Sequence, residues 1–134
     1  MKNQLALALA VAIGGAMGSL LRYFSVITIE QTVVSHFPWG VVFVNLFGSL
    51  LMGILVGSFL GHPEQNQLWR ALLAVGVLGG FTTFSSFSLD LVKLIDRGSY
   101  GAALGYCSLS VVGGLVGLLL GRSIGGLFYR WFVV

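Results

Sequence analysis

Four long stretches of this sequence contain no Asp, Glu, Lys or Arg, and they decide what the chain can fold into. Nineteen such residues separate Lys2 from Arg22, nineteen separate Arg70 from Asp90, and twenty-four separate Arg97 from Arg122. The whole segment between Glu30 and Glu64 is also free of them. A helix needs about 20 apolar residues to cross the hydrocarbon core of a bilayer. The pattern predicts spans near 4–27, 39–60, 68–95 and 101–129, joined by three short loops. His36-Phe37-Pro38, His62-Pro63 and Asp96-Arg97-Gly98-Ser99 supply the turn chemistry. Only 8% of the 134 residues are charged and the mean hydropathy is +0.98, whereas soluble domains average roughly 25% charged. The solvent for this surface must be lipid, so the expected fold is an all-α, single-domain membrane protein spanning 1–134.

Several function classes drop out. One cysteine, Cys107, gives no disulfide framework and no Cys-rich metal site. Seven basic residues, Lys2, Arg22, Arg70, Lys93, Arg97, Arg122 and Arg130, are scattered singly and form no nucleic-acid patch. No His falls inside a span, and no nucleophile triad or carboxylate pair is spaced for acid–base work, so an enzyme is not expected. The first segment shares its leading Lys and its Ala-x-Ala triplets with a secretory signal. Three further spans and a packing pattern of its own favour a retained helix.

Charge and small residues speak to assembly. Lys2, Arg70, Arg122 and Arg130 lie on one side of the predicted topology and Arg22, Lys93 and Arg97 on the other. Orientation follows the Lys/Arg bias of short loops, and four against three is almost no bias. The chain is expected to insert both ways and pair as an antiparallel dimer, unless the N-terminal amine or a partner protein fixes one orientation. Small residues recur every four positions: Gly14 and Gly18; Ser49, Gly53, Gly57 and Gly61; Gly113, Gly117, Gly121 and Gly125. Such stripes let helix backbones approach closely in lipid.

The chemistry concentrates in the third span, at Gly79-Gly80-Phe81-Thr82-Thr83-Phe84-Ser85-Ser86-Phe87-Ser88. Two glycines beside five hydroxyls are poor helix material at mid-bilayer. Irregular backbone is tolerated there only where protein or a wet cavity surrounds it. The alternative is an intact helix whose hydroxyls bond back to their own carbonyls; the adjoining Gly-Gly favours a break. The groups on offer are donors: Ser and Thr hydroxyls, the amide of Asn45 in the second span, and the positive ring edges of Phe84 and Phe87, three apart. They suit a small, strongly hydrated anion.

GGFTTFSSFS with the acid Asp90 after it, Val44-Asn45, and Gly14-Gly15-x-x-Gly18-x-x-x-Arg22-Tyr23 resemble the Fluc (CrcB) fluoride channels over essentially the whole chain. The resemblance implies a passive fluoride channel in a bacterial plasma (inner) membrane, built as an antiparallel homodimer with two pores. It implies that Asn45, Phe84 and Phe87 line the pore. Thr83 and Asp90 would form a polar site near Asn45, Tyr106 and Ser110 would begin a hydroxyl track, and Arg22 would lie in the anion's approach. It also implies a structural Na⁺ at the dimer axis, held by backbone carbonyls of Gly79 and Thr82. Three positions depart from the family pattern: Val41 replaces a common Thr, Asp90 is one methylene shorter than the usual Glu, and Gly114 and Leu118 interrupt the hydroxyl track. The alternative of the same size is a proton-coupled exporter of the small multidrug resistance type. That chemistry needs a membrane carboxylate, for which Asp90 is the only candidate.

Overall fold

The computed structural model describes residues 2–58 and 67–133. Among them, four helical segments are long and apolar enough to cross a membrane: Asn3–Thr32, Trp39–Gly57, Gln67–Asp96 and Tyr100–Trp131. The chain is a multi-pass, all-helical membrane protein, and no strand occurs among the described residues. The first helix, Lys2–Thr32, runs five residues past the expected end at 27, and the last helix, Tyr100–Val133, runs past 129. The second helix, Trp39–Gly57, starts where expected. Its expected end at 60, the His62-Pro63 turn and Gly61 lie outside the described residues. The third loop closes the third span with a Schellman-type end. Gly98 is left-handed (φ 71°), its N–H donates to the Ile95 carbonyl at 2.8 Å, and the Ser99 N–H donates to the Leu94 carbonyl at 3.0 Å. Glycine takes this backbone without the Cβ clash that other residues meet.

The glycine stripes set the packing. The second and last helices lie backbone to backbone: a Cβ at Gly53 would strike the Leu118 carbonyl, and one at Gly57 the Arg122 carbonyl. From the other side, a Cβ at Gly121 would strike the Leu50 carbonyl and one at Gly125 the Ile54 carbonyl. The first helix meets the third span in the same way, with Gly14 against Leu72 and Gly76, and Gly18 against Val77. Its opposite stripe, Leu9, Ile13, Met17, Leu20 and Phe24, is exposed on this single chain. Apolar side chains turned outward and glycines turned inward reverse the usual arrangement of a water-soluble helix. They fit a bundle held by close backbone contact in lipid.

The third span is not uniform. After a short turn at Gln67–Trp69, Arg70–Leu78 winds as a π-helix and Gly79–Phe81 returns to α geometry. Thr82 (φ −82°, ψ 158°) and Thr83 (φ −151°, ψ 122°) are extended, and the α-helix resumes over Phe84–Asp96. A small core of Val41, Val42, Phe87, Leu94, Ala103 and Tyr106 fills the end of the bundle beneath the first loop.

The close contacts give a direct test. Gly121→Ala places a methyl on the Leu50 carbonyl, whereas Gly101, with nothing within 4 Å of its would-be Cβ, has room for one. Gly121→Ala is expected to destabilise the protein by about 1–3 kcal/mol and Gly101→Ala to leave it unchanged. Thermal unfolding in detergent reads the difference.

Candidate functional site

The site is built around the two extended threonines. A residue with β-region backbone inside a helical span withdraws its neighbours from the i→i−4 ladder, and every freed group then needs a partner. Asn45 on the second helix supplies the first. The Thr83 N–H donates to Asn45 Oδ1 at 2.8 Å, and Asn45 Nδ2 donates to the Thr83 carbonyl at 3.1 Å. This two-way pairing also fixes the amide's orientation, because only the oxygen can accept from the Thr83 N–H. One Nδ2 hydrogen is left for another acceptor.

Thr83 is itself buried, and its hydroxyl caps the next helix. Oγ1 accepts from the Ser86 N–H at 3.2 Å and donates to Ser86 Oγ at 3.1 Å, and Ser85 Oγ lies 3.3 Å away. Thr82 and Ser88 bond back to the Leu78 and Phe84 carbonyls at 3.0 and 2.9 Å. The hydroxyl cluster therefore divides between back-bonding and capping. A continuous helix would aim the Thr83 and Ser86 N–H groups at the Gly79 and Thr82 carbonyls. Here they are donated to Asn45 Oδ1 and Thr83 Oγ1 instead. The helical donors to those two carbonyls are thereby engaged elsewhere.

A cavity of about 410 Å³ opens beside this step. It brings together Asn45, Thr83, Phe84, Phe87 and Ser110, five of the eight pore residues expected from the sequence. Phe84 and Phe87 are neighbours, with ring centroids 5.6 Å apart, but they face differently. Phe84 is 78% exposed on the single chain and Phe87 is 6% exposed. Phe87 packs on Tyr106 at 5.1 Å, and Tyr106 meets Phe37 edge-on at 5.7 Å. The Tyr106 hydroxyl and Ser110 Oγ are both buried, and neither has a hydrogen-bond partner in the structure.

Asp90, Tyr106 and Arg22 are not on this cavity's wall. Asp90 lies one turn beyond Phe87, in an ion pair with Lys93 at 3.0 Å, and lines a second, polar cavity. Arg22 lines neither cavity. Two polar wall groups were passed over in the sequence: Ser49, counted only among the small residues of a packing stripe, and the side chain of Thr82. The signal for Ser49 was its place one turn after Asn45 on the same helix face. Gly114 and Leu118, where the hydroxyl track fails, do lie on the wall and make that end apolar.

Residues 9–122 match the family described as "CrcB-like protein, Camphor Resistance (CrcB)". The chain belongs to the CrcB family. Among its relatives, a protein of Pseudomonas putida named "Fluoride-specific ion channel FluC" is 48% identical over 120 residues, covering 90% of this chain and 97% of the relative. A protein of the same name from Novosphingobium aromaticivorans is 47% identical, over 85% of this chain and 91% of the relative. One from Bordetella petrii is 44% identical, over 86% and 88%.

The capping role of Thr83 is open to test. Thr83→Val keeps the shape and removes the Ser86 N–H acceptor, so a loss of about 1 kcal/mol is expected. Thr83→Ser should retain most of the stability. Thermal unfolding of the two variants side by side in detergent distinguishes them.

Proposed function

We propose that this chain is a fluoride-selective channel, moving the ion passively down its electrochemical gradient and lowering cytoplasmic fluoride across a bacterial inner membrane. One observation carries the reading. Asn45, Ser110 and the rings of Phe84 and Phe87 converge on one intramembrane cavity, and all of them offer hydrogen-bond donors or ring edges. A small anion entering such a place loses a tightly held water shell and must be given donors in return. Asn45 is held rigid by Thr83 and keeps one N–H free. Ser110 Oγ is buried without a partner. The ring edges add the positive end of the aromatic quadrupole. Relatives covering most of the chain are named as channels for this ion, which supports an ion pathway rather than an enzyme.

The proton-coupled exporter is less well supported. It needs a carboxylate free to bind and release a proton within the membrane. Asp90 sits near the end of the third span, already paired with Lys93.

The working unit we propose is an antiparallel homodimer inserted in both orientations. The near-balance of basic residues supports dual insertion. Phe84, with 78% of its surface uncovered on one chain, supports a second copy completing the pore wall. The Gly79 and Thr82 carbonyls, whose helical donors are engaged elsewhere, are hard oxygen donors suited to Na⁺. Two from each copy would hold a structural ion at the dimer axis. A C-terminal reporter read from both sides of the membrane is expected to find both occupied; a single location would remove the dual-insertion reading.

Purified protein in liposomes, followed with a fluoride electrode, is expected to release fluoride and retain chloride. Phe87→Ile should reduce the flux at least tenfold while leaving a folded protein, since bulk and apolarity are kept and the ring edge is lost. Asn45→Asp should also block, because a carboxylate repels the anion. Equal passage of chloride would contradict the assignment. A flux that required a proton gradient and vanished in Asp90→Asn would favour the exporter.

A further inference from the structure

Beyond the stack Phe87–Tyr106–Phe37 lies the second cavity, about 290 Å³, between the first loop and the end of the third span. Its wall includes Glu30, His36, Phe37, Asp90, Lys93 and Arg97. Phe87 lines the intramembrane cavity and Phe37 lines this one, with the buried Tyr106 ring in contact with both. The aromatic stack therefore divides a donor-lined interior from a charged basin at the membrane boundary. The basin has room for an ion with its water shell.

The charges on that wall are balanced. Glu30 and Asp90 are opposed by Lys93 and Arg97, with His36 as the remaining titratable group. Asp90 is 19% exposed and stands one turn from Phe87, so its carboxylate is the charge best placed to repel an anion nearing the stack. The Lys93 ammonium lies 3.0 Å from it and is half exposed, reaching from the basin's water to the carboxylate. Clefts lined by one sign of charge focus the potential felt by an approaching ion. Here the two signs cancel, so the loss of any one of the four charges gives the basin a sign.

We infer that this basin is a capture site for the hydrated anion, and that Lys93 sets its affinity by cancelling the charge of Asp90. Lys93 acts through Asp90 and the basin's net charge and is a positioning residue outside the dehydrating interior. The inference rests on the channel reading above. Removing Lys93 leaves the basin with net charge −1; removing Glu30 leaves it with +1. The two changes must therefore act in opposite directions, and both must fade as salt screens the basin.

The test is the initial fluoride efflux from liposomes at sub-saturating fluoride and one fixed pH, at low and high ionic strength. Lys93→Gln should slow the flux about two- to fivefold at ~0.01 M ionic strength, the effect of one unit charge at roughly 8 Å in a watery cleft. At ~1 M, where the Debye length is about 3 Å, the difference should disappear. Lys93→Arg should keep the original rate, and Glu30→Gln should raise it by a similar factor at low ionic strength only. Three results would overturn the inference: a Lys93→Gln flux equal to the original at low salt, an equal loss at both salts, or a Glu30→Gln effect of the same sign. Should Lys93→Gln fail to fold, the sign and salt dependence of Glu30→Gln decide alone. A failure of the channel reading looks different, because the unsubstituted protein would then pass no fluoride.

Discussion

The pairing of Asn45 with the backbone of Thr83 is the interaction on which the rest of the site depends. An extended residue inside a membrane span exposes an N–H and a carbonyl where no bulk water can satisfy them. Leaving such groups unpaired costs about 1–3 kcal/mol each. A side-chain amide can accept from the N–H and donate to the carbonyl at once, through two separate atoms. Once Asn45 does so, the Thr83 hydroxyl is free to cap the helix over Phe84–Asp96. Phe84 and Phe87 then take their places on that helix's first turn. The donors, the rings and the freed carbonyls of Gly79 and Thr82 follow from one local departure from helix.

Close glycine packing makes that departure sustainable. Gly48 on the second helix has Thr82 and Phe81 where its own side chain would be, and Gly80 has the backbone of Gly15. The extended step is thus held between the first and second helices, with the cavity on its open side. The second and last helices are clamped through Gly53, Gly57, Gly121 and Gly125. That clamp holds Ser110 on the same cavity as the second helix's Asn45 and Ser49, and Tyr106 in the core with Val41 and Val42. A bundle assembled by leucine packing would hold the same residues farther apart.

Much of this was legible in the sequence, for physical reasons. Charged residues are expelled from the bilayer core, so Lys2, Arg22, Glu30, Glu64, Arg70, Asp90, Arg97 and Arg122 marked out the four spans. Glycines at four-residue spacing marked the contact faces, and the hydroxyl run beside Gly79-Gly80 marked the place where helix is weakest. What stayed hidden is tertiary. Asn45 and Thr83 are 38 residues apart; the family resemblance put them near one another, but nothing in either neighbourhood states that they pair. RALLAVGVL has the composition of ordinary helix, so its π winding carries no compositional signal. Phe84 and Phe87 share a face by spacing, yet only packing against Tyr106 buries one and leaves the other open. Arg22 was placed in the anion's approach by resemblance alone, and it lines neither cavity. The balanced basin arises from residues on the first helix, the first loop and the third span, which meet only in the fold.

Residue-resolved amide hydrogen exchange in detergent micelles shows whether Asn45 holds the extended step in place. The Thr83 amide, bonded to a buried side chain, should exchange as slowly as the helical amides around it. In Asn45→Ala it should become fast while the amides of the last helix stay protected. A Thr83 amide that exchanges rapidly in the unsubstituted protein, or that remains equally protected in Asn45→Ala, would contradict the account.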